Sequence, residues 1–435
     1  MNKRLLTETI LGLGAVGAGY AIYKASSRAC LSAMEPEIGG SVGPGFESVR
    51  QAFVENFTNR NELGGAVCAY YKGEKVVDLY GGVRNKATGE PWQEDTMVVV
   101  YSTTKGLAAM TLALAHSRGW IDYDERVATY WPEFAQNGKE NVTVRQLLAH
   151  QAGLFALDQK LDRDLLFDPD RLATVLARQK PAWEPGTRAA YHAITLGFFE
   201  GEILRRVDPK HRTLGRFFQD EIATPLGLDF YIRLPDSIPT SRFAVVERPK
   251  FVEMLFGFPI RLTLDSFNPH SNFRRALEGS EFAHDDRDVY SRNLEIPSGG
   301  GVGTARAIAH AYGVFATGGK ELGLRPETIR ELTAPAVAPT NGFFDEVIRD
   351  DVEHSLGFMK PSETIHLGQP GSFGTPGAGG SVGFADPKAG LGYSYVTNKM
   401  GCVLEGDPRD LALRDAVYES IRALEQTPKV AHAAA

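Results

Sequence analysis

The 435-residue sequence predicts a mixed α/β (α+β) fold, in which an antiparallel sheet flanked by helices adjoins a helical lobe across a cleft. Three patterns lead to this. Residues 66–71 and 75–80 are apolar, strand-like runs joined by Lys72-Gly73-Glu74, the signature of a hairpin. Strand-like runs return between residues 380 and 398, split by a turn at Asp386-Pro387-Lys388-Ala389-Gly390, and a helical pattern follows at 410–424. Between these ends, residues from about 121 to 346 read mainly as helices and loops. The sheet is therefore expected from both ends of the chain, with the helical lobe inserted in it.

Taken in order, residues 1–40 form an N-terminal segment of a different kind. Lys3 and Arg4 precede a mostly apolar run at 10–23, the order of charge and hydrophobicity found in signal peptides and signal anchors. Glu8 limits extension of the run, which is short against the roughly 20 residues of a full span. Membrane association through residues 5–23, or export, is expected; a helix packed on the body, with a cytoplasmic location, is the alternative. Small Ser27 and Ala29 would suit cleavage, whereas Arg28 opposes a lipid attachment at Cys30. Gly12, Gly14 and Gly17 match G-x-G-x-x-G formally, but no βαβ unit surrounds them, so no dinucleotide site is expected.

Residues 41–430 are expected to form the catalytic body, with 431–435 a tail. With 43% hydrophobic and 23% charged residues this part can bury a large core, and it shows no internal repeat. A net charge of −7, from 47 basic and 54 acidic residues without a basic run, excludes a nucleic-acid binder. Cys30, Cys68 and Cys402 have no metal spacing, and the ten histidines form no H-E-x-x-H or similar cluster. No metal and no cofactor is expected.

The chemistry-bearing feature is Ser102 with Lys105, at the point where the strand-like run 98–100 gives way to a helical pattern that sends Leu107, Met110, Leu112 and Leu114 into the core. Residues three apart share a helix face, so the amine can reach the hydroxyl. The helix dipole and burial both disfavour the ammonium, which leaves a neutral amine able to take the serine proton. Alone, S-x-x-K is a weak pattern, more often an N-cap serine followed by a solvated lysine. Three further segments accompany it. Residues 144–154 carry Leu-Leu-x-His-x-x-Gly-Leu. Residues 183–187 carry Trp-x-Pro-Gly-Thr, followed by Tyr191-His192-Ala193 and a helical run to Val207. Residues 373–384 are a glycine-rich strand edge.

With these segments in this order, the chain from about Val42 to Glu425 resembles the serine β-lactamase-like hydrolases, in the branch holding class C β-lactamases, D-alanyl-D-alanine peptidases and family VIII carboxylesterases. The resemblance implies a β-lactamase-like fold, a Ser102 nucleophile and its partner Lys105. Tyr191 matches the tyrosine of the family's Tyr-x-Asn motif, but Ala193 stands where asparagine is usual. The third motif, Lys-Thr-Gly or His-x-Gly, falls on Thr375-Pro376-Gly377 without its basic residue. By the same resemblance the N–H groups of Ser102 and Ala378 would form an oxyanion hole, and Thr375 and Gly377 would line the substrate site; His192, beside Tyr191, could contact substrate too, although a histidine beginning a helix is more often a structural partner. Tyr191, favoured as phenolate by Lys105, could relay the serine proton; which of the two is the base stays open. His150 reads as a loop brace.

Two G-x-S-x-G patterns, around Ser41 and Ser381, read as loop and strand edge: an α/β-hydrolase needs an acid and then a histidine after its serine, the only histidine after Ser381 is His432 in the Ala-rich tail, and Ser41 precedes every convincing core strand. The missing basic residue and asparagine tilt the expected substrate toward small uncharged esters, cleaved through an acyl-Ser102 intermediate. Acyl transfer, or weak β-lactamase or D-Ala peptidase activity, are alternatives on the same site. A non-catalytic, membrane-tethered binding or assembly protein is the alternative outside enzymology, disfavoured by the intact Ser102, Lys105 and Tyr191.

Overall fold

A computed structural model describes residues 37–250, 253, 257–280, 292–403 and 405–426. The expected anchor at 5–23 and the tail lie outside the described residues. Among the described residues no helix is long and apolar enough to cross a membrane.

The strands in chain order are β1 Ile38–Val42, β2 Gly64–Tyr71, β3 Glu74–Asn85, β4 Glu90–Pro91, β5 Val98–Val99, β6 Phe230–Tyr231, β7 Val302–Gly303, β8 His354–Ser355, β9 Phe358–Met359, β10 Phe373–Pro376, β11 Val382–Asp386 and β12 Leu391–Thr397. A nine-stranded antiparallel sheet runs β1-β3-β2-β12-β11-β10-β9-β8, with β4 branching from β3. Its centre is the pairing of β2 with β12, from Leu391 opposite Tyr71 to Thr397 opposite Gly65, so strands from the two ends of the chain meet in the middle. A small second sheet, β5-β7-β6, sits at the approach to Ser102.

Alternation along the strands divides the core. Val67, Ala69, Phe384, Tyr393 and Tyr395 face one side, packed by Phe53 and Phe57 of α1 (Glu47–Asn59) and Leu413, Val417 and Ile421 of α6 (Pro408–Gln426). The opposite side carries Cys68, Ala385 and Val396 against the helices that build the site. These are α2 (Thr103–Ser117), α3 (Val144–Leu148), α4 (Leu196–Val207) and α5 (Ala305–Ala316). Every residue of α2 except His116 is buried, because Gly106, Leu107, Ala108, Ala109 and Met110 make it apolar on all sides, as befits a central helix. It packs against α4 on one flank and β10 on another.

Where β12 ends, a charged knot closes the sheet. Glu62 accepts from Thr397 Oγ1 (2.8 Å), from Arg409 Nη1 (3.2 Å) and from the Tyr395 hydroxyl. Arg409 also holds Asp407 (2.7 Å) and the carbonyls of Lys399 (2.9 Å) and Gly379 (3.3 Å). All three charged residues are buried. Replacing Arg409 with leucine would strand two carboxylates, an imbalance that costs about 3–5 kcal/mol. Arg409→Leu is therefore expected to lower the thermal melting temperature sharply, whereas a wild-type melting curve would show that the carboxylates find other partners.

Candidate active site

Ser102 occupies the N-cap position of α2, yet its hydroxyl makes no capping bond and its backbone is already helical, at φ −65° and ψ −13°. The cap reading fails because the residue enters the helix rather than bending the chain into it. Tyr101, immediately before it, takes the left-handed φ of +46°, a costly conformation for a tyrosine that turns the chain sharply from β5 into α2. Ser102 is left half-buried at this corner.

One turn on, Lys105 is 1% exposed. Its Nζ lies 3.2 Å from Ser102 Oγ, 2.7 Å from the carbonyl of Ala193 and 2.8 Å from the carbonyl of Ser298. Burial pushes its pKa down from 10.5 to about 7, against a smaller upward pull from Glu200. Near neutrality the amine is uncharged for much of the time. Its two N–H bonds then satisfy the two carbonyls, and its lone pair is left for the Ser102 hydroxyl.

Tyr191 is brought beside this pair, with Lys105 Nζ 4.7 Å from its ring centroid. Its backbone N–H donates to Asp345 Oδ1 (3.1 Å), and its ring stacks on His354 at 5.8 Å. Asp345 is itself buried and held by the N–H groups of Val347 (2.8 Å) and Ile348 (2.9 Å) and by His354 (3.2 Å). The expectation that Lys105 would favour the phenolate does not hold. Burial raises the Tyr191 pKa, and the nearby Asp345 charge adds to this, outweighing the downward pull of its bond to Ser102. Tyr191 is a neutral phenol near pH 7, and Lys105 is the stronger candidate base.

His192 takes the structural of its two expected roles and not that of a substrate contact. It is 0% exposed, and its Nε2 accepts the Leu154 N–H at 3.1 Å. The ring proton therefore sits on Nδ1 and is donated to His150 Nδ1 at 2.9 Å, while the His192 N–H reaches the same acceptor at 3.0 Å. Burial holds both imidazoles neutral, His192 down to about 3 and His150 well below its usual value. The pair ties the residue after Tyr191 to the loop that follows α3. That helix is started by a Thr143–Gln146 capping box, and His150 at its end takes φ +60°.

Thr375 and Gly377 also turn away from the expected role. Thr375 is buried, accepting from the Gly106 N–H (3.2 Å) and donating to the Thr103 carbonyl (3.1 Å), with the Tyr312 hydroxyl at 3.3 Å. It fastens β10 to the first turn of α2. Gly377 gives its N–H to the Ser381 carbonyl (2.7 Å), and a Cβ there would stand 2.2 Å from the Val100 carbonyl. That close approach requires its glycine. Ser381 is buried and bound to the Val100 carbonyl (2.9 Å) and to Thr103 Oγ1 (3.2 Å), which suits a strand-edge clamp.

Ala378, by contrast, is exposed in the turn after β10, and neither its N–H nor that of Ser102 meets an acceptor among the described residues. Ala378 follows Gly377, whose backbone abuts Val100 and Thr103 on either side of the Tyr101–Ser102 corner. Sequence reading missed Ser298, Asp345 and His354. Only the Ser-Gly-Gly-Gly run at 298–301 marked any of them, as a loop able to approach another backbone closely.

Residues 49–418 match the family model described as Beta-lactamase. The esterase/beta-lactamase LipL of Mycobacterium tuberculosis is 33% identical over 83% of each chain. The crystal structure of a family VIII carboxylesterase superposes with a TM-score of 0.76 at 36% identity, covering 88% of this chain and all of the other. A penicillin-binding protein homologue from Caulobacter crescentus gives the same values. The chain belongs to the beta-lactamase family of serine hydrolases.

Proposed function

We propose that the protein is a serine carboxylesterase that cleaves small uncharged esters through an acyl-Ser102 intermediate. The observation that carries this reading is the buried Lys105 amine, 3.2 Å from Ser102 Oγ and with both of its neutral N–H bonds taken by carbonyls. Ser102 Oγ forms a bond to the ester carbonyl carbon as its proton passes to Lys105 Nζ, and the carbonyl electron pair moves onto oxygen. On this reading the N–H groups of Ser102 and Ala378 serve that oxyanion, a contribution typically worth about 3–4 kcal/mol per donor. Collapse expels the alcohol, protonated from Lys105 through the Tyr191 hydroxyl. Water then releases the acid by the reverse sequence.

The substrate class follows from what the surroundings lack. A lactam or peptide carboxylate needs a cation, and position 375 supplies a bonded threonine hydroxyl. Arg409, which reaches the same glycine-rich loop at Gly379, is committed to Glu62 and Asp407. Ala193 offers no side-chain amide. Relatives named esterase support the same reading.

Three outcomes are expected. Ser102→Ala should abolish covalent labelling by a fluorophosphonate, read by mass spectrometry, while Ser41→Ala and Ser381→Ala retain the label. Loss of label in Ser381→Ala but not in Ser102→Ala would reverse the nucleophile assignment.

The second concerns pH. Lys105 acts unprotonated and titrates at about 7, so kcat/KM for p-nitrophenyl butyrate should fall through that value as pH decreases, about tenfold per unit on the acid limb. A profile flat from pH 5 to 8 would rule out Lys105 as the base.

The third concerns specificity. A charge-assisted carboxylate contact is worth about 1.5–3 kcal/mol, so cephalosporin turnover should trail butyrate ester cleavage by at least one to two powers of ten in kcat/KM. Equal efficiencies would defeat the ester assignment while leaving Ser102 in place.

A further inference from the structure

Glu200 on α4 is 0% exposed, and neither of its carboxyl oxygens has a hydrogen-bond partner among the described residues. Such a group is rare, because a carboxyl removed from water without partners is costly in either protonation state. Its position is well defined. A Cβ added to Gly357, in the turn between β8 and β9, would lie 3.0 Å from Glu200 Oε1 and 2.6 Å from the Ala109 Cβ. The carboxyl is therefore wedged between that turn and α2, beside Ala109. Ala109 follows Lys105 by four residues, so it lies on the same face of α2, about 6 Å further along the helix.

We infer that Glu200 is a positioning residue for Lys105: its carboxyl, held in the dry core beside Ala109, one helical turn along α2 from Lys105, sets how strongly that amine holds a proton. The inference rests on Lys105 being the base proposed above. Burial alone drives the amine toward weakness, and an amine that is too weak takes the serine proton poorly. A carboxyl in that place works in the other direction, since its ionised form stabilises the ammonium that appears as Ser102 gives up its proton.

The electrostatics agree with the geometry. Lys105 is raised by Glu200, and Glu200, pushed up to about 8 by burial, is pulled down by Lys105. Lys105 is the one charged group acting on Glu200 among the described residues. The uncharged Tyr123 phenol also feels the Glu200 charge. Around the amine itself stand the neutral rings of Tyr191, His150 and His192. The two groups thus titrate as a pair, and among the described residues no other charge of opposite sign is resolved as acting on either.

The test uses the full chain with 13C-labelled lysine, following the Cε resonance of Lys105 by NMR titration, with Lys105→Met to assign it. Glu200→Gln keeps the shape, and Glu200→Met removes the polar group altogether. Both are expected to move the Lys105 midpoint down by about one pH unit. The acid limb of Ser102 labelling by fluorophosphonate should move with it, and the labelling rate above the limb should drop. Glu200→Met should also melt at a higher temperature than wild type, since an unpartnered buried carboxyl is gone, so a lower labelling rate in that variant cannot be blamed on unfolding. An unmoved Lys105 midpoint in the folded variant overturns the inference, whether or not the protein turns over esters. A midpoint that moves in a protein whose Ser102 never labels supports the coupling and removes the catalytic reading instead.

Discussion

Much of the site's construction depends on keeping one lysine dry. A primary amine in water is an ammonium at neutral pH and useless as a base, and only withdrawal from solvent makes its neutral form common. Lys105 sits in the buried helix α2, flanked by Tyr191 and by two backbone carbonyls that accept its N–H bonds and so make burial tolerable. Those carbonyls come from Ala193 and Ser298, on segments nearly a hundred residues or more away along the chain. The amine is thus both activated and aimed by the packing of elements remote from it in sequence.

That packing is pinned by polar contacts more than by shape. Asp345 and His354 seat Tyr191, the His150–His192 pair secures the next residue, and Thr375 and Ser381 fasten the β10–β11 edge to the turn that presents Ser102. Arg409 holds the same edge from the far side through Gly379. Donors and acceptors placed in this way need not reorganise when charge develops, which is how a rigid site lowers a barrier. The strained φ of Tyr101 is tolerated because both of its neighbours are fixed by such contacts: Val100 by Ser381 and Gly301, and Ser102 by Lys105.

The departures from the family's second and third motifs have a common consequence. A threonine hydroxyl turned under α2 and an alanine whose carbonyl serves Lys105 leave the Ser102–Lys105 pair intact while offering neither the basic group nor the amide usual at those motif positions. Catalysis and recognition are separable here because one depends on backbone carbonyls and N–H groups, which any side chain supplies, and the other on particular side chains.

Local pattern was enough to single out Ser102, Lys105 and Tyr191, which the fold brings together, because their spacing, a helical turn in one case and a turn-bound tyrosine in the other, is written into short stretches of chain. The antiparallel sheet built from both chain ends was equally legible from alternating runs at 66–80 and 380–398. The tertiary structure alone decided which way side chains on irregular backbone point. Thr375 and His192 read as substrate contacts by position, but one binds α2 and the other binds His150. It also decided protonation: Tyr191 stays a phenol and Lys105 loses its proton readily, since desolvation depends on everything packed around a group and not on its neighbours in sequence. Glu200 makes the same point from the other direction. In the sequence it is an ordinary helix glutamate, and only the approach of Gly357 and α2 strips it of water and sets it one helical turn along α2 from the lysine.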